Sequence, residues 1–175
     1  RHFVSSLIPI ASAPFAKAET HSHKLQSAEG LTLQRVKAEP VAHKGRKALR
    51  LTSEGGDNGF ALVAGPEFQD GTIEVDLTGE PGAGAQSAAR GFVGVAFRMA
   101  PEAAKFELIY LRPTNGRADD QERRNHSIQY YSFPDYPWPR LRKETPGKYE
   151  SYADLVPGEW TKVKITVSGE KAKLY

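Results

Sequence analysis

Three features of the sequence predict an all-β, antiparallel fold. Apolar residues recur at every second position in several short runs, turn formers are frequent, and helical periodicity is nearly absent. The chain has 175 residues with 16 Gly and 12 Pro, long enough for one domain with a real core and rich enough in turn formers to be divided into strands. Eight or nine short strands separated by Gly, Pro, Asp and Asn clusters leave two architectures, sheets stacked face to face or a closed barrel.

Taken in order, "LTLQRV", "KALRLTS" and "FALVAG" read as the first strands. In "GTIEVDLTG", Ile73, Val75 and Leu77 share one face, and Thr72, Glu74 and Asp76 share the other. In "RGFVGVAFRM", Val93, Val95 and Phe97 alternate with Phe92, Gly94, Ala96 and Arg98; Gly94 and Ala96 suggest room above the sheet for a groove, or Gly94 marks a bulge or close backbone approach. "KFELIYLR" and "HSIQYYSF" follow, and "WTKVKITVSG" alternates Val163, Ile165 and Val167 with polar residues. Helix signals are confined to one turn in "PEAAKFE" and a short helix in "ADDQERRN". The prolines around Tyr136 and Trp138 in "PDYPWPRLR" predict an extended, stiff segment.

The first eighteen residues run from a basic start through apolar and small residues to Ala16-Lys17-Ala18. That is the layout of a signal-peptide remnant, so residues 1–24 are assigned to it and an N-terminal tail, residues 25–175 to the sandwich domain, and the location is expected to be secreted or periplasmic. The stretch is too short to span a bilayer. With no Cys, disulfides, thiolate zinc sites and thiol catalysis are excluded.

Net charge is +3. Residues 112–148 alone carry eight basic and five acidic side chains, so the surplus belongs to this stretch. Interspersed carboxylates make a poor nucleic-acid footprint, and no nucleic-acid partner is expected.

The order "FQDGTIEVDL", "GFVGVAFRM", "FELIYLRP", a polar loop and "PGEWTKVKITVSGEKAKLY" resembles concanavalin A-like jelly rolls, including laminin G-like domains and the bacterial 3-keto-disaccharide hydrolase domain family. Phe97-Arg98, Phe106-Glu107 and Gly158-Glu159-Trp160 carry the likeness, over residues 30–175. The resemblance implies a two-sheet antiparallel jelly-roll sandwich with one or two further strands after Leu174-Tyr175, secretion, and action on or binding of glycans. It also implies that Ca²⁺ binding is open, with Asp57 and Asn58 in "SEGGDNG" as one candidate site; no other cofactor is expected.

For catalysis, glycosidic hydrolysis needs two placed carboxyl groups. Glu74 and Asp76 share a strand face, but Thr78 stands where a laminarinase-like triplet requires a third carboxylate. Glu107 is the weak catalytic candidate, since it lies within a strand; Arg98 and Arg112 are its expected ion-pair partners. His126 and Ser127 are adjacent and would point to opposite faces, and no G-x-S-x-G occurs.

Flat aromatics, amides and guanidinium groups together suit a sugar. Arg98, Tyr110, Arg112, Asn115, Gln129, Tyr131, Tyr136 and Trp138 are therefore the candidate ligand-binding residues. The same composition would also result from a long loop bonding to its own backbone. A glycan-binding domain is the leading expectation, with a hydrolase of a (3-keto-)disaccharide and a structural or protein-interaction module as alternatives.

Overall fold

A computed structural model describes residues 19–55 and 58–175. The expected signal sequence in residues 1–18 and the candidate calcium ligand Asp57 lie outside the described residues. Strands hold 41% of the residues and helices 12%, and every strand pair is antiparallel. The chain is all-β. Its residues fall into two compact units, divided between Gly65 and Pro66.

The first unit contains β1 (Leu31–Gln34), β2 (Val36–His43), β3 (Arg46–Ser53) and β4 (Phe60–Val63). β1 pairs with β4, and β2 forms a hairpin with β3. Lys44 and Gly45 both take positive φ, 47° and 78°, as a two-residue turn matching strand twist requires. β2 was not anticipated from the sequence, because Pro40 interrupts it. Proline cannot donate to a ladder, but among the described residues β2 has one neighbour, β3, which leaves a side on which the missing N–H does no harm.

The second unit is a sandwich of two sheets. It comprises β5 (Gly71–Leu77), β6 (Val93–Phe97), β7 (Phe106–Leu111), a short helix α1 (Gln121–Asn125), β8 (Ile128–Phe133), helix α2 (Trp138–Glu144), β9 (Glu150–Ser151), β10 (Thr161–Ser168) and β11 (Lys171–Leu174). One sheet has the order β11-β10-β5 and the other β6-β7-β8-β9. Ile73, Val75, Val163, Ile165 and Val167 from the first sheet meet Val93, Val95, Phe97, Ile109, Leu111 and Ile128 from the second in one apolar cluster. Ile165 at its centre is fully buried, which favours folding by about 1.5–3 kcal/mol for that side chain alone.

Because side chains alternate across a strand, this packing fixes which residues point away from the core. On β7 and β8 these are Phe106, Tyr110, Gln129, Tyr131 and Phe133, with Arg112 just beyond β7. Gly94 lies opposite Tyr110, and a Cβ on it would come within 2.6 Å of Tyr110 Cβ. Of its two readings in the sequence, the glycine fits the close backbone approach and not the groove.

One local difference follows from proline chemistry. The segment expected to be extended at Tyr136–Trp138 turns into a helix from Trp138, with Pro137 as N-cap and Pro139 in the first turn. The first N–H groups of a helix have no intrahelical acceptor, so prolines there remove no bond. α1 forms as anticipated, capped by Asp120, whose carboxylate accepts from Arg123 N at 2.7 Å.

Candidate functional site

The outward face of the β6–β9 sheet carries a continuous run of rings. Phe92 meets Tyr110, Tyr110 meets Tyr131 and Tyr131 meets Phe106, each with centroids 5.9 Å apart. Phe106 then stacks on Phe133 at 5.1 Å. The tilted and edge-on contacts place ring edges against ring faces, the arrangement their quadrupoles favour. Phe106, Tyr110 and Tyr131 are buried, whereas Phe92 and Phe133 at the two ends are exposed.

Beside this run lies a charged cluster. Arg112 donates to the Tyr110 hydroxyl at 2.6 Å, to Gln129 Oε1 at 3.2 Å and to the His126 carbonyl at 3.0 Å. It also reaches Glu150 Oε1 at 3.5 Å. The same carboxylate receives Arg142 through Nη2 on Oε1 and through Nε on Oε2 at 3.1 Å. His126 Nε2 stands 3.5 Å from Glu150 Oε2. The Glu150 side chain is 3% exposed and that of Arg112 7%, against 35% for Arg142. Burial is the main influence drawing the Arg112 pKa below its usual range, and the adjacent Arg142 charge acts in the same direction. Burial raises the Tyr110 pKa.

Helix α2 and the segment just before it supply the accessible part. Trp138 is 41% exposed and Tyr136 47%. The Arg142 guanidinium carbon lies 4.9 Å from the Trp138 ring centroid and that of Arg112 5.9 Å. Arg140 lies 4.4 Å from the Tyr136 ring and pairs with Glu144 at 2.8 Å.

Tyr110, Arg112, Gln129, Tyr131, Tyr136 and Trp138 are thus gathered on or beside one face. Their accessibility differs sharply. Gln129 is fully buried, accepting from Arg112 and donating to the carbonyls of Tyr130 and Tyr149. Asn115 donates to the His126 carbonyl and accepts from Arg123. Arg124 donates to the carbonyls of Ala118 and Asp119. These amides and guanidinium groups stitch the 113–126 connection to itself, as buried polar groups must be.

Arg98 is apart from this face. It donates to the carbonyls of Gln69 at 2.8 Å and Gly169 at 2.6 Å, to Asp70 at 2.9 Å and to Glu107 at 3.0 Å. It therefore ties β7 to the segment before β5 and to the β10–β11 turn. The other Glu107 oxygen accepts from the Tyr130 hydroxyl at 2.9 Å. Arg112, expected as a second partner of Glu107, pairs with Glu150 instead, because Glu107 and Arg112 project from opposite faces of the sheet. Glu74 pairs with Lys164 at 3.3 Å and Lys162 at 3.9 Å.

Glu150 and Arg142 were not singled out from the sequence. Glu150 sits on a two-residue strand that shows no alternation, and only its placement opposite Gln129 brings it to Arg112. A separate concavity of about 440 Å³ is lined by apolar residues such as Leu111, Ile128 and Val163 together with Ser151, Thr161 and Lys162. Among the described residues, no cluster of three or more His, Asp or Glu could hold a metal, and no helix is long and apolar enough to cross a membrane. No protein-family model, curated protein or solved structure matches the chain.

Proposed function

We propose that the second unit binds carbohydrate without cleaving it, and that Trp138 and Tyr136 form the contact surface. The observation that carries this reading is two exposed aromatic rings, Trp138 at the start of α2 and Tyr136 in the segment just before it, beside a hydrogen-bonded polar base. Rings with two side-chain torsions lose little entropy on binding, and their apolar faces suit the C–H faces of a sugar. Arg140 and Arg142 border the rings and supply donors for hydroxyl groups. Arg112, Asn115, Gln129 and Tyr110 act beneath this surface as its support.

Two features favour binding over hydrolysis. Both oxygens of Glu107 are engaged, by Arg98 and Tyr130, and Glu74 is balanced by two lysines. A hydrolase needs one carboxyl group free to protonate the leaving group and another to attack or activate water. The basic, apolar and Ala-x-Ala order of the first eighteen residues supports placing this activity outside the cytoplasm.

A glycan array probed with the full chain tests the proposal, alongside a disaccharide-hydrolysis assay. Binding that disappears in Trp138→Ala, with no reducing sugar released by the parent protein, is the expected result. Sugar release that is lost in Glu107→Gln would replace binding by hydrolysis.

A further inference from the structure

Counting charges around Trp138 sharpens the ligand class. Two guanidinium groups share one carboxylate: Glu150 Oε1 receives both Arg112 and Arg142. With His126 neutral, the cluster carries one uncompensated positive charge, and protonated His126 would add another. Nearby acids do not relieve it, since Glu144 pairs with Arg140 and Glu107 with Arg98 on the opposite face. Asp135 stands before α2, and its backbone carbonyl accepts from Arg140. Among the described residues, no ion pair engages Lys143, next to Arg142. Residues 134–150 together with Arg112 hold five basic against three acidic side chains.

The surplus has an outlet. Arg112 is buried, so its charge cannot be fully hydrated, and Arg142 spends Nε and Nη2 on Glu150. Its Nη1 has no hydrogen-bond partner among the described residues, and the side chain is partly exposed beside the Trp138 ring. A guanidinium with a free edge next to an apolar ring favours an anion that brings its own flat or cyclic body. Partial desolvation by the indole strengthens that attraction over its value in water.

We infer that the Trp138–Arg142 edge selects acidic sugars, holding a uronate carboxylate or a sulfate of the glycan at Arg142 while the sugar ring lies on Trp138. This rests on the carbohydrate reading above. An external anion would give the two arginines two acidic partners and remove the unbalanced charge. Lys143 would add longer-range attraction, and neutral sugars would gain only the stacking contact.

Isothermal titration of the full chain with tetragalacturonate, its methyl ester and sodium acetate tests the inference. The acid is expected to bind at least about tenfold more tightly than the ester, since one charge-assisted contact separates them. That ratio should shrink as salt rises from about 50 mM to about 500 mM. Acetate alone should bind weakly or not at all, because it lacks the ring. Arg142→Gln should bring the ratio close to one, and thermal melting of that variant reports whether it is folded. The ratio and its salt dependence are measured on the parent protein, so the test survives an unstable variant. An ester that binds as well as the acid, with both lost in Trp138→Ala, would overturn the inference and leave carbohydrate binding standing. Acetate matching tetragalacturonate would mean a simple anion site and overturn it too. If neither tetragalacturonate nor a panel of acidic and neutral oligosaccharides binds, the inference and the carbohydrate reading fall together.

Discussion

The guanidinium carbon of Arg142 stands 4.9 Å from the centroid of the Trp138 ring. This contact is the main one the indole makes with a charged neighbour, and it leaves 41% of the residue exposed. Trp138→Ala should therefore cost about 1–2 kcal/mol, from one partly exposed cation–π contact and incomplete burial. A tryptophan latching the core would cost about 3–5 kcal/mol. Urea denaturation separates the two, and a loss in the larger range would assign Trp138 to packing and withdraw it as a contact surface.

Arg98 reaches Glu107 on the next strand and three acceptors distant in sequence, Gln69, Asp70 and Gly169. Arg98→Ala should lower stability by about 2–4 kcal/mol, since Glu107 would lose its ion-pair partner and two carbonyls their donor. Sugar affinity of the folded protein should be unchanged, because Arg98 belongs to the other face. Reduced affinity at full folding, read by calorimetry well below the melting temperature, would return Arg98 to the binding surface.

Alkaline pH should weaken the second unit. Burial, reinforced by its hydrogen bond to the Glu107 carboxylate, raises the Tyr130 hydroxyl above its ordinary range, and burial likewise raises Tyr110. The folded state thus keeps protons that the unfolded chain loses above about pH 10. The contribution is complete below that pH and declines above it as the unfolded state ionises first. Tyr130→Phe should flatten the decline, which denaturant titrations at successive pH values would reveal. An equally steep decline in the variant would show that Tyr130 does not contribute to it.

Strand content was legible because alternation survives wherever one face meets the core, as in Ile73, Val75 and Leu77 or Val163, Ile165 and Val167. β2 escaped because Pro40 masks a strand that needs only one neighbour. The helix at Trp138 escaped because prolines, read as extending the chain, also fit a first helical turn. The sequence grouped Arg98 with Tyr110, Arg112, Gln129, Tyr131, Tyr136 and Trp138, although the structure sets Arg98 apart and starts a helix at Trp138. It could not distinguish donors that are spent internally from those that remain accessible. Arg112 and Arg142 look alike in sequence and both bond Glu150, but the fold buries Arg112 as a support and leaves Arg142 a partly open edge.

That dependence on Glu150 yields the most demanding prediction. Glu150→Gln keeps the size of the side chain but removes the one carboxylate that, among the described residues, bonds both Arg112 and Arg142. A buried guanidinium left without its counter-charge costs about 3–5 kcal/mol. The loss should fall when Arg142→Gln is added, because one of the two repelling cations then disappears. The double variant should thus be more stable than the sum of the single changes predicts, a coupling read directly from a double-mutant cycle. Strict additivity would mean that the two residues do not interact in solution, and the charge surplus proposed to attract acidic sugars would lose its basis.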